Sequence, residues 1–267
     1  MVVAEAAQRP TGTVARASEI IRYLAEQDNE VAVTSLARDL SLPPSTVHRL
    51  LHLLIEQGFV ERGERFQSYR VGAELYRVGC LVSRKMGLAE WADPIMRGLS
   101  AESGEFSMLT LYLPSEHKLT LVHTVAAPNP LTYRPELFSQ LALAWGASGR
   151  AILASLCENE IRTIYLETGP SPVTGASLPP YPEFRAELRE IAAQGYALTH
   201  AQRMAGAVGM ASPVCNAAGR PVGSLCLTIP EFRFEPARGA ELGAMLRARA
   251  AALSHLNGRT RTGVSVY

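Results

Sequence analysis

The sequence predicts an α+β protein with an amino-terminal winged helix-turn-helix, a linker helix, and a larger carboxyl-terminal domain built on a mostly antiparallel sheet. Two observations favour this class. The first 60 residues contain three apolar stripes with helical spacing, followed by two short strand-like segments. The second half alternates strand-like runs with helical patterns. With 267 residues, 47% of them hydrophobic, the chain can bury one core in each of two domains.

Three helix patterns precede residue 58. The first places apolar side chains at i, i+3, i+4 and i+7, in Ala17, Ile20, Ile21 and Leu24. A short second helix is predicted over residues 35–40, with the hydroxyl of Thr34 capping its first amides. The third helix is predicted to begin near Pro44, which a first turn tolerates, and to end at Gly58. Its predicted buried stripe is Val47, Leu50, Leu51 and Leu54.

A turn separates the second and third helices. Pro43 disfavours helical geometry in the residue before it, so residues 41–43 are predicted to form this turn. Glycine is often found in the turn of a helix-turn-helix, and Ser41 takes its place here. The serine slightly weakens the geometric case for the motif.

A hairpin and a further helix follow the three helices. The segments FVERGE and RFQSYRVG read as two short strands around a turn near Gly63 and Glu64. We call this hairpin the wing. A helical pattern from Ala73 to about Leu88 predicts a linker helix, which the segment Trp91–Pro94 is expected to break.

The second half is predicted to be a mixed α+β domain. Its strand-like segments are SMLTLYL, KLTLVHTV, YALTHA, VGMASPVC and VGSLCLTI. Helices are predicted over residues 149–156, 182–194 and 236–256. The predicted domain plan is a disordered arm at 1–12, the winged helix-turn-helix at 13–72, the linker helix at 73–90, the second domain at 91–258 and a flexible tail at 259–267.

Composition narrows the class of protein further. No apolar run is long enough to cross a bilayer and the amino terminus lacks a secretion signal, which predicts a soluble, cytoplasmic protein without membrane contact. The four cysteines are widely spaced, which argues against a disulfide framework or a zinc site, and we predict no cofactor and no metal. A net charge of +1 means that any nucleic-acid binding must depend on local charge placement.

The third helix carries polar side chains opposite its predicted buried stripe. We call this set the polar face; its members are Ser45, Thr46, His48, Arg49 and His52. Short hydroxyls near a helix amino end reach phosphates, and an arginine can bind guanine or a phosphate. An ordinary solvated face is the alternative interpretation. A scaffold whose helix-turn-helix only dimerises is another.

The wing adds basic side chains suited to contact with the DNA backbone or minor groove. Together with the polar face it predicts binding to double-stranded DNA. The candidate DNA-binding residues are Pro44, Ser45, Thr46, His48, Arg49, His52, Arg62, Arg65 and Arg70. Gln67 lies in the same wing.

Two motif blocks resemble the IclR family of bacterial transcription regulators. The first comprises VARASEIIRYLAEQD, LARDLSLPPSTVHRLLHLLIEQGFVER and YRVG. The second comprises GASGRAILASL and GYALTHAQRMAGAVGMASPVCNAAGRPVGSLCLTIP. The resemblance covers about residues 13–258.

The resemblance implies a GAF-like effector-binding domain after the linker helix. It implies homodimers or homotetramers that control catabolic and stress genes in response to small metabolites. A two-fold dimer would place two recognition helices about 34 Å apart or a multiple of that, which predicts a palindromic operator.

The resemblance also implies where a small effector would bind. Ala147 and Ser148 match one wall of the family's pocket, and the amides before the following helix offer a seat for a carboxylate. The strands 207–215 and 222–229 match the opposite wall. The candidate effector-binding residues are Tyr133, Leu141, Ala147, Ser148, Thr199, Ala207, Gly209, Cys226 and Thr228. Thr199 stands where many relatives carry an acid, which favours an aromatic or otherwise partly apolar organic acid over a very small keto acid.

An enzyme is the remaining alternative class. The segment from Gly146 to Arg150 is close to the nucleophile elbow of serine hydrolases, with Ser148 as nucleophile. The second glycine comes one residue early, and no acid and histidine follow in a convincing order. We therefore expect no enzymatic activity.

Overall fold

The computed structural model describes residues 12–86, 88–127 and 136–260. The chain divides after Met86 into two compact units, which we call the N-terminal unit and the C-terminal unit. The N-terminal unit has one apolar core, and the C-terminal unit has two, one on each face of its sheet. The predicted α+β class is confirmed.

The N-terminal unit is a winged helix-turn-helix followed by one more helix. Its elements in chain order are α1 Thr13–Ala25, β1 Val31–Ala32, α2 Val33–Asp39, α3 Pro44–Glu56, β2 Val60–Arg62, β3 Ser68–Val71 and α4 Ala73–Met86. The strands pair in the antiparallel order β1-β3-β2. Strand β1 is too short for its sequence to have predicted it.

The apolar stripe of α3 is buried as predicted. Val47, Leu50 and Leu51 are at most 1% exposed, and Leu54 is 7% exposed. They pack with Ile20 of α1 in the core of the N-terminal unit. This packing fixes which side of α3 faces solvent.

The predicted cap of the second helix is wrong. Helix α2 begins at Val33, so Thr34 lies inside it, and no side chain caps its first amides. The reason is tertiary: the Val33 amide donates to the carbonyl of Gln67 in the wing, 3.1 Å away. Pairing of β1 and Val33 with the wing therefore sets the start of the helix at Val33, one residue before Thr34.

The wing is organised around the carboxylate of Glu30. This carboxylate accepts hydrogen bonds from the amides of Glu64 at 2.9 Å and Arg65 at 3.1 Å, and from the Ser68 hydroxyl at 2.5 Å. The hydroxyl makes the largest contribution, and together these bonds lower the pKa of Glu30 to about 2. A side chain at Gly63 would meet the same carboxylate, because an added Cβ would lie 2.2 Å from its oxygen.

The C-terminal unit alternates helices and strands as the sequence predicts. Its elements are α5 Leu88–Ser103, β4 Phe106–Leu113, β5 Lys118–Val125, β6 Gln140–Ala142, α6 Ala147–Leu153, α7 Glu158–Glu167, α8 Tyr181–Gln194, β7 Ala197–His200, β8 Ala207–Cys215, β9 Pro221–Pro230 and α9 Gly239–Thr260. Helix α7 and strand β6 were not predicted from the sequence. The predicted disordered arm and flexible tail lie largely outside the described residues.

The helix break predicted at Trp91–Pro94 does not occur. Helix α5 runs through Pro94, and α4 ends earlier, at Met86. Proline removes one helical hydrogen bond, but Ala92, Met96 and Leu99 are fully buried on one side of α5. Their packing outweighs the lost bond. The predicted domain boundary at residues 90 and 91 therefore falls inside a helix.

Within the described part of the chain, the C-terminal unit contains a sheet of six strands in the order β6-β5-β4-β9-β8-β7. Every neighbouring pair is antiparallel. Helices α6, α7 and α8 pack on one face, and α5 and α9 pack on the other. Alternation along β9 sends Cys226 to the first face and Leu225 and Leu227 to the second.

Two glycines are required where α6 begins. Gly146 has φ of +85° and ψ of 160°, a backbone conformation that is essentially restricted to glycine. A Cβ on Gly149 would lie 1.9 Å from the carbonyl oxygen of Leu143. Backbone geometry and close packing thus require glycine at these two positions, independently of any ligand.

Among the residues that the structure describes, no helix combines the length and apolarity needed to span a bilayer.

The turn between α2 and α3 yields a stability prediction. Ser41 has φ of +53°, the left-handed conformation for which glycine is normally selected. A β-branched side chain is strained there, so Ser41→Val should lower the free energy of unfolding by about 1–2 kcal/mol. Ser41→Gly should raise it by about 0.5 kcal/mol, because relief of strain exceeds the entropy that glycine adds to the unfolded chain. Urea denaturation of the wild type and the two variants measures both changes in the free energy of unfolding. Equal midpoints for the three proteins would contradict a strained left-handed conformation at Ser41.

The wing yields a pH-dependence prediction. The folded-state pKa of Glu30 is about 2, below its ordinary value of 4.5. Its contribution to stability is therefore present above pH 4.5 and is lost as the pH falls towards 2. Wild type should unfold at higher urea than Glu30→Gln at pH 6, and the difference should shrink steadily below pH 4.5. A difference that stays constant down to pH 2 would show that the carboxylate charge is not involved.

Candidate functional site

The polar face of α3 is open to solvent. Ser45, His48, Arg49 and His52 are exposed, and Thr46 is half-buried. Pro44 is the first residue of α3, as predicted, and Pro43 precedes it as the N-cap. The face thus presents hydroxyl, imidazole and guanidinium groups together along one helix.

Few acids neutralise this face. His52 Nδ1 lies 3.3 Å from Glu56 Oε1, one turn further along the helix. Arg49 makes no hydrogen bond or ion pair with the described residues. Its guanidinium is therefore available to an external phosphate or base.

The wing presents its arginines unequally. Arg62 and Arg65 are exposed, whereas Arg70 Nε lies 2.6 Å from Glu61 Oε1 on the neighbouring strand. This hydrogen bond raises the pKa of Arg70 and offsets its charge. Of the three predicted wing arginines, Arg70 is thus the least suited to hold a phosphate.

The wing also exposes an aromatic residue that was not predicted from the sequence as part of the site. Phe66 lies at the tip, between β2 and β3, and is 91% exposed. The sequence predicts Phe66 in the second strand of the wing, whereas the structure extends the turn to Gln67. An aromatic side chain beside Arg65 was the signal available from the sequence. Its neighbour Gln67 has φ of +54°, so the tip has a defined turn conformation.

A cavity of about 60 Å³ lies between the sheet and the start of α6. Strand register explains its floor, because Thr199 of β7, Gly209 of β8 and Thr228 of β9 are paired side by side. Cys226, two residues before Thr228 on β9, pairs with Met108 of the neighbouring strand β4. The described residues that line the cavity are Met108, Gly146, Ala147, Ser148, Thr199, Gln202, Arg203, Met204, Ala207, Gly209, Cys226 and Thr228.

Seven of the nine candidate effector-binding residues line this cavity together. They are Ala147, Ser148, Thr199, Ala207, Gly209, Cys226 and Thr228. Leu141 does not line it; it lies in β6 opposite Leu119 and packs against the core beneath α6. Tyr133 lies outside the described residues.

Two polar residues of the β7–β8 connection complete the cavity and were not predicted. Gln202 Oε1 accepts a hydrogen bond from the Gly146 amide at 3.0 Å. Arg203 Nη2 donates to the carbonyls of Ala142 at 2.6 Å and Trp145 at 2.9 Å. These bonds tie the connection to the loop before α6. They depend on tertiary contact, which sequence spacing does not reveal.

The described lining of the cavity carries one cationic side chain. None of the described lining residues is acidic, and Arg203 brings a guanidinium to the wall. Burial raises the pKa of the Cys226 thiol to about 11, which outweighs the opposing hydrogen bond from Ser148. The thiol is therefore neutral at physiological pH. The cavity can offer an anion hydroxyl groups and one positive charge.

The described surroundings of Ser148 do not form a catalytic triad. Its hydroxyl interacts with the Cys226 thiol, and neither a histidine nor an acid is among the described residues lining the cavity. Arg150, which occupies the place of the second elbow glycine, is 2% exposed and bonds Ala144 and Glu187. It anchors α6 to α8 and has a structural role.

Two family models match the chain. The model described as "Bacterial transcriptional regulator IclR C-terminal" matches residues 80–255, and the model described as "IclR helix-turn-helix domain" matches residues 13–64. The two matches follow one another along the chain, helix-turn-helix first, in the order that the sequence resemblance implies. The first model alone covers more than half of the chain.

Relatives and solved structures agree with these models. The acetate operon repressor of Salmonella typhimurium is 27% identical over 249 residues, covering 93% of this chain and 91% of that protein. A crystal structure of an IclR transcriptional regulator from Silicibacter sp. TM1040 matches with a TM-score of 0.82 and 26% identity, covering 92% of this chain and 96% of that one.

A third similar protein was crystallised with a ligand. It is an IclR homologue from Microbacterium hydrocarbonoxydans complexed with 4-hydroxybenzoate, with a TM-score of 0.73 and 18% identity. The match covers 94% of this chain and 100% of that one, and at this identity it shows the fold alone.

The family models and the named relatives describe transcription regulators, so the serine-hydrolase alternative is wrong. The open polar face, the wing and the family matches lead to one conclusion. The chain belongs to the IclR family of bacterial transcription regulators and carries the family's helix-turn-helix DNA-binding domain.

Proposed function

We propose that this protein regulates catabolic genes in the bacterial cytoplasm by binding a palindromic operator, under the control of a small carboxylic acid. The observation that carries the DNA-binding part is the polar face of α3, which is exposed opposite a fully buried apolar stripe. Ser45 and Thr46 near the helix amino end suit phosphate contacts, and Arg49 suits a base or phosphate. Arg62 and Arg65 of the wing add contacts to the DNA backbone.

The palindromic operator follows from a proposed homodimer or homotetramer. Two exposed apolar side chains on α4 support self-association: Tyr76 is 77% exposed and Val82 is 48% exposed. A two-fold dimer would set its two α3 helices about 34 Å apart, or a multiple of that, and so require two inverted half-sites.

The proposed effector is an organic acid bound in the cavity beside α6. Arg203 supplies a positive charge, and no described lining residue is acidic, so an anion is favoured over a cation. The amides of Ala147 and Ser148 precede the first intrahelical bond of α6, which is donated by Arg150 to Gly146. They can add hydrogen bonds to a carboxylate.

The volume of the cavity limits the size of the acid that it can hold. A volume of about 60 Å³ suits a short-chain acid, which differs from the aromatic or partly apolar acid that the sequence favours. An aromatic acid, of the kind that the Microbacterium homologue holds, would require Met108 and Met204 to move. Methionine side chains adapt readily, so the fold is compatible with this second candidate.

Control by the effector requires coupling between the two units. We propose that acid binding biases the spacing of the recognition helices and that α4 transmits the bias. A coupling free energy of about 1–3 kcal/mol would change operator occupancy about 5- to 150-fold.

The DNA-binding proposal predicts the effect of removing Arg49. The probe is the duplex that the wild-type protein enriches from a randomised library. Arg49→Ala should lose about 1–3 kcal/mol of binding free energy if Arg49 bonds a base. If Arg49 holds a phosphate instead, the slope of log K against log salt should fall by about 1. Fluorescence anisotropy over a salt series measures both.

Arg189→Ala is the matched control, because Arg189 is an exposed arginine on α8. It should bind the duplex as wild type does. An Arg49→Ala protein with unchanged oligomeric state, affinity and salt slope would instead support the scaffold alternative.

The effector proposal predicts a selective loss in Arg203→Gln. Short-chain keto acids and benzoates should raise the melting temperature of the wild type in proportion to RT ln(1 + [L]/Kd). The matching amides should not. Arg203→Gln removes the charge while keeping a hydrogen-bond donor, and should lose the shift. Arg185→Gln, which removes a charge that pairs with Glu158 outside the cavity, should keep it. An equal shift in both variants would reject an anion site at Arg203.

A further inference from the structure

The tip of the wing presents a single aromatic ring to solvent. Phe66 is 91% exposed, although a phenyl group in water is unfavourable. Its chain neighbours Arg65 and Gln67 are also exposed and polar. The ring therefore does not belong to a continuous apolar surface of the wing.

The tip is held rigidly despite this exposure. Glu30 accepts hydrogen bonds from the amides of Glu64 and Arg65 directly before Phe66, and from the Ser68 hydroxyl after it. The Gly63 amide donates to the Ser68 carbonyl at 2.9 Å and closes the base of the turn. The backbone that carries the ring therefore loses little conformational entropy when the tip binds.

Charge at the tip favours nucleic acid as the occupant. Arg62 ends β2 and Arg65 lies within the turn directly before Phe66; both are exposed, and Glu64 is the exposed acid between them. The other wing acid, Glu61, is paired with Arg70, and the Glu30 carboxylate is engaged by the turn itself. A protein partner would normally need an interface of about 800 Å² on this side with an apolar centre, which one ring does not supply.

We propose that Phe66 enters the minor groove of the bound duplex and wedges between adjacent base pairs, unstacking them and bending the DNA. This inference rests on the proposed DNA-binding function and extends it to DNA deformation. Arginines would approach the phosphates while the ring reaches the base stack, a combination that minor-groove proteins use to kink DNA. Flexible pyrimidine–purine steps should therefore be preferred where the wing binds.

The test uses the full-length protein and the duplex that it enriches from a randomised library. Adenines are replaced one at a time by 2-aminopurine, whose fluorescence rises when a base is unstacked. End-to-end energy transfer between dyes reports bending, and anisotropy reports affinity. The variants are Phe66→Ala and Phe66→Trp, with Phe232→Ala as control because Phe232 is also 91% exposed but lies in the C-terminal unit.

Wild type should brighten 2-aminopurine at one step per half-site and bend the duplex. Phe66→Ala should lose the brightening and most of the bend, and should bind about tenfold more weakly. Its slope of log K against log salt should stay that of wild type, because no charge is removed. Phe66→Trp should retain unstacking, with its indole fluorescence quenched in the complex, and Phe232→Ala should behave as wild type.

Unchanged brightening and bending in Phe66→Ala would overturn the wedge, as would an unquenched indole in Phe66→Trp. Weaker binding accompanied by a smaller sedimenting species would also overturn it, and would assign Phe66 to contacts between copies of the chain. The wedge fails alone if Arg49→Ala loses the duplex while Phe66→Ala still brightens 2-aminopurine and bends the duplex as the wild type does. If the wild type enriches no duplex, the DNA-binding proposal and the wedge fail together.

Discussion

The burial of four side chains on α3 is the constraint on which the account depends. Val47, Leu50, Leu51 and Leu54 are at most 7% exposed. Burying each contributes about 1.5–3 kcal/mol, so turning the helix to hide its polar face would cost on the order of 6–12 kcal/mol. That is comparable to the entire stability of a typical domain. Ser45, His48 and Arg49 therefore face solvent as a consequence of core packing.

Local pairing of charges explains how a chain with a net charge of +1 can present a basic surface. Glu61 is engaged by Arg70, and Glu30 by the amides and hydroxyl of the wing. Those acids stabilise the domain and are less available to oppose the exposed arginines. The effector cavity shows a related arrangement, because Arg203 lines a wall that contains no described acid.

Elements with a clear periodicity were predictable from the sequence. The predicted stripe of α3 is buried, and the strand-like segments KLTLVHTV and VGSLCLTI form β5 and most of β9, because local spacing and β-branched content decide these elements. The misses have tertiary causes. Pairing with the wing starts α2 at Val33, before the predicted cap Thr34, and the packing of Ala92 and Met96 carries α5 through Pro94. Arg203 is held at the cavity by hydrogen bonds to carbonyls some 60 residues away in the chain.

Site-specific photo-cross-linking tests the orientation of α3 most directly. A benzophenone amino acid is placed at position 48 on α3 and, as a control, at position 190, an exposed site on α8. Each protein is irradiated with the duplex enriched by the wild type. Efficient cross-links to DNA from position 48 and none from position 190 are the result that the account predicts. Absence of cross-links from position 48 in a complex that still binds the duplex would contradict it.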